Sequence, residues 1–311
     1  MLSIGILGGG PAGMSAALWL KQLGLHPVVI EAESQLGGMQ RTSNYANPFL
    51  LGHFGKTANE LAKLFEDHLA QERIERIHAR VTGLEATDQR VLVATAERGL
   101  SFAATIVCFG TRWRSLDVPG AAEAQRARTL RYMGHGSDVH DAKGKRVVVI
   151  GGGDNAFAIA AEASTSASSV VVLSRSAPRA QPLIMASAKQ PNVEVRLGQT
   201  VERFEPGVIT LNDERTLPFD LAYIALGFAP NTEALATWLP RLERDREGYL
   251  ITDLHGRTAV PRVWAAGDIC NPIHPCTATA IGQGATAAQD VERVLRAQVL
   301  SENGVKLVST S

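Results

Sequence analysis

Ser3-Ile4-Gly5-Ile6-Leu7-Gly8-Gly9-Gly10-Pro11-Ala12-Gly13 opens the chain as a short apolar strand running straight into a glycine turn. Met14 to Leu23, rich in alanine and leucine, reads as the helix that follows. Strand, G-x-G-x-x-G and helix in that order form a dinucleotide-binding turn. Gly8 makes the tight bend, Gly10 lets a pyrophosphate approach the backbone, and Gly13 lets helix and strand pack closely. Phosphates would sit on the free N–H groups at the helix start, beside Pro11 and Ala12. Pro27-Val28-Val29-Ile30 supplies a second strand, ending at Glu31, roughly 20 residues past the turn. A carboxylate there accepts a ribose 2′-hydroxyl and repels a 2′-phosphate, which suits FAD or NAD.

The same grammar recurs. Lys145 to Ile150 reads as a strand, Gly151-Gly152-Gly153-Asp154-Asn155-Ala156 as the G-x-G-x-x-A turn, and Phe157 to Ala163 as a helix. The next strand, Val170 to Leu173, runs into Ser174-Arg175-Ser176-Ala177-Pro178-Arg179. A hydroxyl and two guanidinium groups replace the acid, as a 2′-phosphate requires. FAD in the first site and NADPH in the second is the natural pairing. NADH stays open as the alternative, with Arg175 and Arg179 then plain solvated side chains.

Three more strand ends organise the chain: Ile106 to Gly110-Thr111, Ala222 to Gly227, and Val263-Trp264-Ala265-Ala266-Gly267-Asp268-Ile269, the last followed by a helix from about Thr277 to Ala297. Gly110 and Gly227 read as crossings between domains, and the stretches 112–120 and 240–248 as paired hinges. The expected fold is α/β, with two Rossmann-like three-layer dinucleotide-binding domains, the NAD(P)-binding domain (116–246) inserted into the FAD-binding domain (1–115 and 247–311).

At 311 residues the chain outgrows one ordinary core. Basic and acidic residues balance at 31 each, so nothing points to nucleic acid or an anionic membrane surface. No stretch approaches the ~20 apolar residues of a membrane span. The opening residues read as a strand and not as a signal peptide. Cys108, Cys270 and Cys276 cannot build a disulfide framework, so a reducing cytoplasm is expected. No metal-ligand set is expected.

Over roughly residues 3–297 the sequence resembles the low-molecular-weight thioredoxin reductases and the ferredoxin–NADP reductases of the same fold. The resemblance is carried by Gly8 to Gly13, Glu31, Gly37-Gly38, Gly110-Thr111-Arg112 and Val118-Pro119-Gly120. It continues through Gly151 to Ala156, Gly227 to Asn231 and Ala265 to Ile269. It implies that Asp268, after Gly267, receives a hydrogen bond from the FAD ribityl chain. It also implies that the helix opening at Pro275 to Ala278, with Thr277 and Ala278, faces the flavin pyrimidine ring. Gly38, Gln40 and Gly110 join the implied FAD site, and Gly227 the NAD(P)H site. Arg175 and Arg179 match a longer, more arginine-rich loop of the family. The family's glutamine after the paired glycines is displaced here by Met39. A homodimer through the FAD domain is implied.

Thioredoxin reductases carry a C-x-x-C disulfide shortly before the second glycine turn. Here that position holds Gly134-His135-Gly136-Ser137, which cannot pass electrons by thiol exchange. The expected function is therefore an FAD-dependent NAD(P)H:acceptor oxidoreductase, with hydride reaching the flavin from NAD(P)H and electrons leaving to an external acceptor. That acceptor would be a ferredoxin- or flavodoxin-like protein, or a small molecule such as a quinone or oxygen. The tail Ser301 to Ser311 has no aromatic residue of the kind that covers the flavin in ferredoxin–NADP reductases. Two rivals stand beside this: a dithiol–disulfide reaction through Cys270 and Cys276, and a non-catalytic flavin-binding sensor. His135, Ser137 and Cys276 are the candidates for proton or thiol chemistry.

Overall fold

The computed structural model describes residues 2–43, 46, 47, 49–132 and 139–302. The chain forms two compact units, one of Met1–Arg112 with Ala229–Ser311 and one of Trp113–Phe228.

In the first unit a five-stranded parallel sheet runs in the order Val263–Ala265, Ala104–Val107, Ser3–Leu7, His26–Glu31, Glu75–His78. Side chains alternate across a strand, and here both faces are apolar. Ile4, Ile6, Val29, Ile106 and Trp264 join one buried cluster, with the helices Pro11–Gln22 and Thr277–Glu302. Leu7, Val28, Ile30, Val107 and Val263 join another, under the antiparallel strands Val81–Ala86, Val91–Thr95 and Gly99–Phe102. Covering both faces is what a parallel sheet requires.

The second unit repeats the plan. Its parallel sheet runs Val193–Leu197, Ser169–Ser174, Arg146–Ile150, Leu221–Ile224, Leu130–Tyr132. A three-stranded antiparallel sheet, Val201–Glu205, Val208–Leu211 and Thr216–Pro218, packs over it around Phe204, Phe219 and Ile224. In each unit the glycine turn follows the central strand. The chain leaves each unit after the strand beside that central one, near Gly110 and Gly227, as their sequences suggest.

The second crossing differs from the expected boundary at 246. Residues 229–246 belong to the first unit, because Leu235, Leu239 and Leu242 are buried in its cluster with Val81 and Leu84. The charged stretch 240–248 is no hinge. It closes as a surface turn in which Asp245 accepts from Glu247 N and Tyr249 N, both at 2.9 Å. Its hydrophilic composition reflects a solvated turn beneath which the leucines pack.

Asp290, on the last helix, ties the first unit together. Its side chain is 2% exposed and accepts from Arg257 Nε at 2.5 Å, Trp264 Nε1 at 3.0 Å and Arg293 Nη2 at 2.6 Å. Burial works to raise this carboxyl's pKa, but the three donors together bring it down to about 2. Removing the acceptor strands a guanidinium and an indole N–H. Asp290→Ala should lower the unfolding free energy by about 3 kcal/mol in denaturant melts at neutral pH. A depressed carboxyl stabilises above its unfolded pKa, so the difference from wild type should hold from pH 8 to 5 and shrink toward pH 2.

Candidate functional site

The first glycine turn is built as the sequence requires. Gly8 has φ +107°, and a Cβ there would strike the Cys108 carbonyl; a Cβ on Gly13 would strike that of Gly8. Gly8 N donates to Ile30 O at 2.9 Å, which binds the turn to the second strand. At that strand's end Glu31 accepts from Gly9 N at 2.7 Å and from Glu33 N at 2.9 Å. The carboxylate is thus fixed beside the turn.

A cavity of about 910 Å³ opens over this turn, within the size range of cofactor clefts. Gly8, Gly10, Pro11, Ala12, Glu31, Gly38, Gln40, Gly110, Gly267, Asp268, Cys276 and Thr277 all line it. Gly13 and Ala278 do not. Gly13 faces the strand, as its packing role demands. Ala278 follows Thr277 on a helix, where the next wall residue is Ala280; one helical turn separates residues that share a face.

The end away from Glu31 is polar and unfinished. Asp268 Oδ1 is buried without a hydrogen-bond partner, and burial pushes this carboxyl up to about 6. Gln40 is buried; its Nε2 donates to Thr277 Oγ1 at 2.9 Å while its Oε1 lacks a partner. Asn47 Nδ2 also donates to Thr277 Oγ1, at 3.3 Å. Unpaired buried acceptors are costly, and these suit a ligand rich in hydroxyl and N–H donors. Gly10 adds open space, since no atom comes within 4 Å of where a Cβ would stand. These features fit FAD: a glycine turn open to a pyrophosphate, a carboxylate fixed beside it, and buried acceptors at the far end that a hydroxyl-rich ligand would satisfy.

In the second unit a Cβ on Gly151 would strike the Ala225 carbonyl, the counterpart of the Gly8 contact. Gly153 caps the helix Asp154–Ser164, on whose first turn Asn155 and the fully buried Ala156 also lie. The loop after Ser174 folds back over this turn. Arg179 N donates to Gly152 O at 2.7 Å, Ser174 Oγ to Ser176 O at 2.7 Å, and Gln181 N to Asp154 Oδ1 at 2.7 Å. Arg175 and Arg179 are exposed, and their side chains have no partner among the described residues. Gly227 (φ +81°) accepts from Arg114 N at 3.0 Å, at the crossing and not on the glycine turn.

Gly134-His135-Gly136-Ser137, with the candidates His135 and Ser137, lies outside the described residues. All three cysteines are unpaired. Cys108 is buried, which drives its thiol pKa far up. Burial raises Cys270 to about 12, and its Sγ–H donates to Gly267 O. Cys276 is exposed, just before the last helix, where Thr279 N meets its sulfur at 3.5 Å. Among the described residues no group of His, Cys, Asp or Glu is placed to hold a metal ion, and no helix is long and apolar enough to cross a membrane.

Several wall residues are invisible to motif reading. Ala79 to Thr82 close the Glu31 end, Thr111 and Met39 the other, and the helix Glu233–Trp238 forms a side. Asn231 Nδ2 donates to Phe109 O at 2.8 Å and so seats that helix beside Gly110. In the sequence, the Gly227-to-Asn231 stretch is the one signal for that helix's place.

Two nested units, each with a glycine turn between a parallel strand and a helix, one turn flanked by a carboxylate and the other by arginines, have the architecture of a two-domain dinucleotide-binding protein. The model of the pyridine nucleotide-disulphide oxidoreductase family matches residues 2–289, and the chain belongs to that family. It is accordingly an enzyme that works with FAD and a pyridine nucleotide. An NADH dehydrogenase of Bacillus subtilis is 31% identical over 297 residues, covering 91% of this chain and 56% of that protein. The chain thus spans just over half the length of such relatives. A thioredoxin reductase of Coxiella burnetii is 29% identical, with 94% of this chain and 96% of that one covered. The crystal structure of Lactococcus lactis thioredoxin reductase shares the fold, with a TM-score of 0.86 at 24% identity, covering 96% of this chain and 100% of that one.

A cofactor hydroxyl donating to Asp268 favours the ionised carboxylate, whereas the free site keeps its proton up to about pH 6. FAD affinity should therefore be flat above pH 6 and fall as pH drops below it. Asp268→Asn should bind FAD at least tenfold more weakly at pH 8 and lose that pH dependence. Equilibrium titration of flavin fluorescence checks both.

Proposed function

We propose that the chain is an NAD(P)H:acceptor oxidoreductase that hands electrons to an external acceptor, not to thioredoxin by a thiol relay. The carrying observation is that no Cys-x-x-Cys occurs in the sequence, with Gly134 to Ser137 standing where the family's disulfide would lie. FAD, once bound, supplies the hydride-accepting and electron-donating chemistry. The chain's own part is to hold and orient. The Gly8 turn offers backbone N–H groups to the pyrophosphate, Glu31 holds a ribose, and Asp268 and Gln40 fix the ribityl and ring end. Arg175 and Arg179, unpaired over the second turn, favour NADPH over NADH, since guanidinium forks match a 2′-phosphate. The inserted unit, residues 113–228, is the NAD(P)H-binding domain on this reading, and the remainder the FAD-binding domain.

The acceptor is a ferredoxin- or flavodoxin-like protein or a small molecule such as a quinone. The name of the Bacillus subtilis relative supports an acceptor other than a disulfide. A homodimer through the first unit and a cytoplasmic setting complete the proposal, the latter resting on balanced charge and three unpaired cysteines. A dithiol reaction through Cys270 and Cys276 is disfavoured because burial keeps the Cys270 thiol protonated at working pH.

Purified, flavin-loaded protein assayed with NADPH against a panel of acceptors is the test. Turnover is expected with a quinone or a one-electron acceptor and none with thioredoxin. NADPH-driven thioredoxin reduction abolished by Cys276→Ser would overturn the proposal in favour of the thiol route.

A further inference from the structure

Ala234 and Trp238 stand one helical turn apart on the helix Glu233–Trp238, and both face the cavity. Leu235 and Leu239 are buried with Val81 and Leu84. Trp238 itself is only half-buried. It packs against that apolar cluster, and its indole N–H has no hydrogen-bond partner among the described residues. The helix is firmly seated: Thr232 Oγ1 donates to Gly248 O at 2.8 Å, and Glu233 pairs with Arg112. A rigid helix thus presents an indole to an open cleft.

Which end of the cleft it meets follows from Glu31. A pyrophosphate on the glycine turn with its ribose on Glu31 sends the attached base onward, past the acid. Beyond Glu31 the walls are Ala32, Glu33 and Ala79 to Thr82, the last leading into the strand Val81–Ala86. The Trp238 helix packs on that strand. The aromatic wall residues are Phe109 and Trp238, and Phe109 sits by Gly8, where the Cys108 carbonyl touches the turn. Trp238 is the one at the adenosine end.

We infer that Trp238 is the stacking platform for the adenine of FAD, and so a residue that makes the site prefer the dinucleotide over FMN. This rests on the proposed binding of FAD in the same cavity. Aromatic stacking on a base is worth on the order of tenfold to a hundredfold in affinity and needs no hydrogen-bond code, because every base has a π face. FMN, lacking adenine, gains nothing from the indole.

The flavin-free chain and its Trp238→Ala and Trp238→Phe variants are titrated with FAD and with FMN. Trp238→Ala should weaken FAD about tenfold to a hundredfold while FMN affinity stays unchanged, and Trp238→Phe should recover most of the FAD binding. An unchanged FAD affinity in Trp238→Ala would overturn the inference. So would equal weakening of both flavins in a Trp238→Phe variant that keeps the wild-type melting temperature. Failure of the unaltered chain to bind FAD sinks the cofactor reading instead, and is told apart by that control.

Discussion

In a dinucleotide-binding turn the helix starts directly at the tip of a parallel strand, with its N–H groups open to a phosphate, and glycine lets the backbone pass its neighbour closely enough for that. In this protein that close passage is made twice, where Gly8 meets Cys108 O and where Gly151 meets Ala225 O. Any side chain at those positions would push the neighbouring strand away, and with it the wall of the site. The sheet order, the turn and the helix start are therefore one constraint, repeated in two units of about the same plan.

What separates the two copies is charge at the end of the following strand. In the first, Glu31 is pinned by two backbone N–H groups beside the turn. In the second, the loop is stapled down by Arg179 N and Asp154, while the guanidinium groups of Arg175 and Arg179 are left unpaired. A carboxylate close to a 2′-phosphate is repulsive, and two guanidinium groups are attractive. On the proposed reading, the same backbone would sort two nucleotides. The far end of the first cavity adds a second kind of selectivity, since Asp268 and Gln40 keep buried acceptors without protein donors.

Most of this was legible in the residues because it depends on local spacing. Glycine turns, the acid after the second strand and the glycines at the crossings are fixed by backbone sterics within a few positions. The part that was not legible depends on long-range packing. The domain boundary at 246 failed because the charges of 240–248 read as a linker, while Leu235, Leu239 and Leu242, spaced for one buried face, bind that segment to the first unit. Trp238 belongs to the same blind spot. Nothing near it in sequence signals a cleft, and it reaches one only because its helix lies on the strand Val81–Ala86.

This member of the family carries no Cys-x-x-Cys, and on the proposed reading it works through two glycine turns of opposite ribose preference. Calorimetric titration of the flavin-loaded chain with 2′,5′-ADP tests this most directly. The account predicts binding at a single site per chain, stronger than that of 5′-ADP, with no flavin released. Displacement of the flavin, or equal affinity for the two nucleotides, would contradict it.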